Sequence, residues 1–151
     1  MKLKVHKLRP NAKIPTRAHH TDAGVDLYYC APEKMSQQMP VFPGETILLG
    51  TGIKVEIPRD YMLEVKNKSS IASKKQLLVG ACVVDCGYNG EIFINLHNTG
   101  KQTHWFSDGD KLAQGVVIPV SLCEIIEVHD PDELNKDSTR GIGALGSTGS
   151  R

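Results

Sequence analysis

Apolar and polar residues alternate at every second position over much of this chain. In Tyr61-Met62-Leu63-Glu64-Val65-Lys66, residues 61, 63 and 65 share one face. In Ile92-Phe93-Ile94-Asn95-Leu96-His97, residues 92, 94 and 96 do. A period of two marks a strand with one buried face. Leu3 to Val5, Thr46 to Leu49 and Ile53 to Ile57 read the same way, the last two split by Gly50-Thr51-Gly52. Further β-branched stretches run from Lys111 to Val128, broken at Pro119, which has no N–H to give a ladder. Ser107-Asp108-Gly109-Asp110 has the composition of a turn between two strands. Only Ser69-Ser70-Ile71-Ala72-Ser73-Lys74-Lys75 reads as a helix, with Ser at the cap and Lys in the last turn. Short strands with turn signals between them predict an all-β domain, a sandwich or jelly roll with one short helix.

Composition narrows this picture. A chain of 151 residues with 40% hydrophobic and 23% charged residues suits one globular domain. Eighteen Lys and Arg against 17 Asp and Glu give a net charge of +1. That balance excludes bulk binding of nucleic acid, which needs a large positive field, but leaves room for a local small-anion site. No apolar run reaches the length of a membrane span. The basic, alternating start has no apolar core behind it, so no secretory signal is read and a cytoplasmic location is expected. Cysteines 30, 82, 86 and 123 lack the density of a disulfide scaffold and are expected to be reduced and structural. A zinc site from Cys82, Cys86 and His97 is the alternative. From Asp130 the composition turns polar and then Gly-rich. The expected organisation is a β core over 1–129 and a flexible arm over 130–151.

Five short constellations carry candidate chemistry. Ala23-Gly24-Val25-Asp26-Leu27 embeds a carboxylate in an apolar strand, where it needs a partner such as a Lys, or a water on a metal. Lys66-Asn67-Lys68-Ser69-Ser70 brings cations and hydroxyls to a helix start, suited to an anion or equally to a capped surface helix. Val83-Val84-Asp85-Cys86-Gly87-Tyr88-Asn89-Gly90-Glu91 sets an Asp after an apolar strand and before a turn. Asp85 there is either a general base or a turn cap, and Tyr88 either lies flat on a sugar or fills a gap. Gly109-Asp110-Lys111-Leu112-Ala113-Gln114 offers Gln114 as a donor to a phosphate oxygen or as a solvated strand residue. Finally, Arg140-Gly141-Ile142-Gly143-Ala144-Leu145-Gly146-Ser147-Thr148-Gly149 matches a dinucleotide fingerprint in letters only. The sequence ends too soon for the helix that motif requires, and Ser147 stands where a P-loop has Lys. What remains is a set of N–H donors, two hydroxyls and a guanidinium suited to a phosphate, or else a polar tail.

Taken together and in this order, the five pieces resemble the motifs of the homotrimeric dUTPase family, from Ala23 to the C-terminus. The resemblance is strongest at Asp85-x-Gly-Tyr88-x-Gly-Glu91 and at the Arg140–Gly149 run. It implies a distorted jelly-roll (β-clip-like) trimer with active sites shared between chains. The implied reaction is hydrolysis of dUTP to dUMP and pyrophosphate with Mg2+. By motif position, Asp85 is the base that activates water and Tyr88 lies under the deoxyribose. Val83 and Val84 belong to the uracil-reading edge. Lys68, Ser69, Ser70 and Gln114 contact phosphates, as do Arg140, Ser147 and Thr148 of the arm. Asp26 supports the water and Mg2+ network without a direct protein ligand to the metal.

Three positions depart from the family pattern. Asn67-Lys68-Ser69 stands where Pro-Arg-Ser is usual, which keeps charge but loses a bidentate fork. Leu145 stands where a Phe usually covers the base. Val79 stands where many bacterial members read uracil with Asn, so base selection is expected to rest on the backbone. Two other functions match parts of the sequence. A dCTP deaminase shares the fold but needs a Glu ten residues after the Asp, where this chain has Asn95. A nucleotide-gated regulatory protein without turnover would leave Asp85, Tyr88 and the arm unexplained.

Overall fold

The computed structural model describes residues 1–32, 38–139 and 141–142. It divides into two units, Met1–Ser121 and Leu122–Arg151. Among the described residues the first holds eleven strands and one helix: β1 (Lys4–Lys7), β2 (Val25–Tyr28), β3 (Met39–Val41), β4 (Thr46–Gly50), β5 (Ile53–Glu56), β6 (Tyr61–Asn67), α1 (Ser69–Lys75), β7 (Leu77–Val79), β8 (Val83–Val84), β9 (Phe93–Asn98), β10 (His104–Phe106) and β11 (Lys111–Pro119). All pairings are antiparallel. A four-stranded sheet runs β2-β11-β6-β8, a three-stranded sheet runs β4-β9-β7, and β1-β5 and β3-β10 form two ribbons. The all-β jelly-roll-like reading holds.

Alternation explains the core. Leu63 and Val65 of β6, and Ile94 and Leu96 of β9, are buried with Leu27, Leu49, Ile53, Phe106 and Leu112. The intervening residues face outward. The turn at 107–110 forms as expected: Ser107 N–H donates to Asp110 Oδ2 at 2.8 Å, and Gly109 takes φ +82°, a backbone region that favours glycine.

Two local expectations differ from the structure. No strand follows Pro119 among the described residues, and Ile125 and Ile126 lie exposed. Pro119 still pairs with Tyr61, and Val120 N–H donates to Asp60 O at 2.9 Å, but β6 begins at Tyr61, so the β-branched residues further on find no partner strand among the described residues. The cap of α1 is Lys68 rather than a Ser; its ammonium has no acceptor to offer the helix N–H groups, so it makes no side-chain cap bond, and it donates to Asp26 instead. In the second unit, Pro131–Glu133 forms a single 3-10 turn whose Asp130 side chain accepts from Asp132 N–H at 3.0 Å.

Candidate active site

Strand register builds a charged cleft. Gln114 on β11 stands between Asp26 on β2 and Lys66 on β6, and Lys68 follows directly after β6. Asp26, Lys68, Gln114 and Asp22 line a cleft of about 280 Å3. Lys68 Nζ donates to Asp26 Oδ1 at 2.5 Å, and Lys111 Nζ lies 2.8 Å from Oδ2. Burial opposes charge on Asp26, but the hydrogen bonds from Lys111 and Lys68 outweigh it and hold the carboxyl below its ordinary range. Hydrogen bonding to Asp26 in turn raises the Lys111 ammonium above its ordinary value. The Lys that a buried Asp26 requires is therefore a pair. Lys111 was recognisable only through the β2–β11 register. Gln114 Nε2 donates to Asn67 O at 2.9 Å, and a side chain at Gly24 would collide with the Gln114 amide. Ser69 and Ser70 are exposed in the first turn of α1.

A second hollow, of about 190 Å3, is mostly apolar. Val83, Val84, Asp85, Tyr88, Phe93 and Asn95 are among its walls. β8 is an edge strand, so one of its two consecutive residues turns its N–H and C=O away from β6. Asp85 follows β8 directly and is exposed, and no described residue donates to its carboxylate. The turn after it closes by Tyr88 N–H donating to Asp85 O at 3.0 Å, and Tyr88 Oη donates to Glu91 O at 3.0 Å. Glu91 anchors this turn: its carboxylate takes the Arg9 guanidinium on both oxygens and Gly52 N–H at 2.7 Å. The bond to Glu91 raises Arg9 above its ordinary value against the opposing effect of burial. No motif in the sequence announced the Arg9–Glu91 clamp, since its partners lie 82 residues apart.

Within one chain the two hollows share no lining residue. Val79 lines neither of them. It packs on the core from β7, with its N–H donating to Asn67 Oδ1 at 2.7 Å. A larger depression of about 400 Å3 lies on the other side of Tyr88, between β1, β5 and the 86–89 turn, but Asp85 does not line it. Cys86 opens onto that depression and Cys82 onto the apolar hollow. Of the four cysteines only Cys30 is buried, so Cys86 and Cys123 do not serve as core. No three His, Cys, Asp or Glu side chains converge as a metal site among the described residues, zinc ligands at 82, 86 and 97 included. Arg140, Leu145, Ser147 and Thr148 lie outside the described residues.

The sequence and fold that carry this aspartate, hollow and cleft have known relatives. The family model for dUTPase matches residues 10–149. The chain belongs to the dUTPase family. Its relatives include the deoxyuridine 5'-triphosphate nucleotidohydrolases of Gloeothece citriformis, 40% identical over 99% of this chain and 97% of the relative, and of Mycolicibacterium gilvum, 38% identical over 97% and 94%. Among solved dUTPases, a point mutant of the Staphylococcus bacteriophage 80alpha enzyme with dUpNHpp superposes with TM-score 0.80, at 26% identity over 98% of both chains. A mutant dUTPase from phage phi11 of S. aureus, described with a structural Mg(II) ion, gives TM-score 0.76, at 26% identity over 87% of this chain and 99% of that one. No helix among the described residues is long and apolar enough to cross a membrane.

Proposed function

We propose that this dUTPase-family chain hydrolyses dUTP to dUMP and pyrophosphate, limiting uracil incorporation into DNA and supplying dUMP for dTMP synthesis. The observation that carries the reading is the shared hollow of Asp85 and Tyr88, an unencumbered carboxylate and an aromatic ring at one apolar pocket. Asp85 takes a proton from a water, and that water attacks the α-phosphorus in line. The bond to the α,β-bridging oxygen breaks and pyrophosphate departs. Tyr88 lies beneath the deoxyribose and leaves no room for a 2′-OH. Val83 and Val84 offer backbone groups to the base, and Leu145 covers it.

Phosphates need cations and donors: Lys68 and Gln114 line the other cleft, and Ser69 and Ser70 follow Lys68 in the first turn of α1. The family resemblance implies a homotrimer, and the placing of Asp85 and Lys68 at separate hollows of one chain accords with active sites shared between chains. One chain's base hollow meets the next chain's charged cleft, and a third contributes Arg140, Ser147 and Thr148 of its arm. By the family resemblance, Mg2+ would be carried by the triphosphate, with no direct protein ligand expected. Asp26 would support such an ion through water, since each carboxylate oxygen keeps an acceptor direction beyond its lysine. The ion supplies charge neutralisation and polarisation of the phosphates.

The test is to incubate the protein and Mg2+ with dUTP, dCTP, dTTP and UTP in parallel. Pyrophosphate from dUTP alone is expected. Ammonia from dCTP would select deamination, and binding without product a regulatory role. Deletion of residues 140–151 is expected to abolish turnover and leave the β unit folded by circular dichroism. Full activity of the truncated chain would remove the arm from the mechanism.

A further inference from the structure

Asn95 belongs to the apolar hollow, yet backbone recognition at β8 gives it no role. It stands on β9 with Phe93 and His97, on the face opposite buried Ile94 and Leu96. It lines the same hollow as Asp85 and Tyr88. Its Oδ1 accepts from Ala81 N–H at 3.1 Å, and its main-chain oxygen accepts from Gly80 N–H at 3.0 Å. A main-chain N–H only donates, so the contact with Ala81 decides which way round the amide sits: oxygen towards residue 81, NH2 away from it. No described residue accepts from Nδ2. Close approach is possible because residue 80 is glycine, where a Cβ would come within 2.1 Å of both Asn95 Oδ1 and His97 Nε2.

We infer that Asn95 is a specificity-determining residue, whose fixed Nδ2 donor selects a pyrimidine with a carbonyl at position 4 over one with an amino group there. The inference rests on the dUTP reading above. With Oδ1 held at the wall, the NH2 is the polar group Asn95 presents to a largely apolar space. A uracil O4 satisfies that donor. A cytosine amino group meets it donor to donor, leaving both groups desolvated without a partner, which is the situation that discriminates most strongly. Base selection thus does not rest on backbone alone.

The decisive variant is Asn95→Asp, which keeps an acceptor for Ala81 N–H and removes the donor. The kcat/KM ratio of dUTP over dCTP is expected to fall by about tenfold or more, because the carboxylate repels O4 and accepts from an amino group. A residue that only pinned the 79–81 segment would slow both substrates alike, and an unchanged ratio overturns the inference. Should the variant not fold, wild-type protein is compared on 4-thio-dUTP and 2-thio-dUTP, since sulfur is a poor acceptor. A greater loss with the 4-thio compound supports the role, and equal losses overturn it. Wild-type protein that fails to hydrolyse dUTP overturns the functional reading itself, which separates the two failures.

Discussion

Asp26 in the charged cleft and Asp85 at the apolar hollow are both aspartates, and their surroundings treat them in opposite ways. Asp26 lies within β2, 7% exposed, with an ammonium on each oxygen. Asp85 lies just past the end of β8, exposed, with no donor among the described residues. The first carboxylate is fixed in charge and position, since protonating it would break two charge-assisted bonds. The second keeps its lone pairs for a proton from outside. A carboxylate surrounded by donors organises a site, whereas one left without donors can act as a base. The walls follow the same division: Lys68, Gln114 and Asp22 around Asp26, and Val83, Val84 and Phe93 around Asp85.

Exchanging each aspartate for asparagine breaks the comparison most directly. Asp85→Asn is expected to lower kcat by about 10²–10⁴-fold, the range for removal of a general base. Binding of a non-hydrolysable dUTP analogue and the melting temperature should stay near wild type. Single-turnover kinetics and calorimetry check this, and unchanged turnover would remove Asp85 from the mechanism. Asp26→Asn is expected to do the reverse, acting first on stability. It leaves Lys68 and Lys111 without their shared counter-charge at a nearly buried position. Since both lysines are partly solvated, the cost is about 1–3 kcal/mol, below that of breaking a fully buried pair. Chemical denaturation measures it, and a stability within error of wild type would mean that the triad is only a surface arrangement.

How legible each region was in the sequence follows from the range of the interactions that build it. Tyr61–Lys66 and Ile92–His97 declared their buried faces because alternation is a local property, and both strands formed with those faces inward. Asp85, Tyr88 and Val83 fall in one nine-residue segment, and the structure sets them at one hollow. The partners that hold these groups were not local. Lys111 reaches Asp26 across a strand pairing that contains a bulge between residues 111 and 113. Arg9 and Glu91 meet across 82 residues of sequence, and Asn95 touches Ala81 across a sheet edge. The stretch beyond Pro119 misled for a related reason, since β-branched composition states a preference for a strand but cannot supply a neighbour.

Acidification sharpens the contrast at smaller scale. The folded-state pKa of Asp26 lies below its ordinary value. Its contribution to stability is therefore fully present above the unfolded-state pKa of about 3.9 and is lost as pH falls through the lower folded value. Lys111 is raised, so its share is complete below its unfolded value of about 10.4 and declines only as pH climbs through the folded one. The triad is thus at full strength across neutral pH. Wild-type protein is expected to lose denaturant stability on acidification below about pH 4 more steeply than Asp26→Asn. Parallel acid slopes for the two proteins would show that the lysines do not hold Asp26 ionised.

The smallest effect separates the ring of Tyr88 from its hydroxyl. The hydroxyl donates to Glu91 O at 3.0 Å and so joins the turn after Asp85 to the residue that Arg9 clamps, while the ring lines the hollow. Tyr88→Phe removes one exposed hydrogen bond, worth about 0.5–1 kcal/mol, the lower part of the usual range because water replaces the donor. That corresponds to a two- to fivefold decrease in kcat/KM for dUTP if the whole loss falls on the order of the turn. Rejection of UTP should survive, because the surface beneath the sugar is still an aromatic face. Tyr88→Ala opens that surface and should raise UTP turnover relative to dUTP. Steady-state assays of both variants on both nucleotides decide between ring and hydroxyl. If Tyr88→Phe already admits UTP, the hydroxyl rather than the ring polices the 2′ position, and the steric account of sugar selection is wrong.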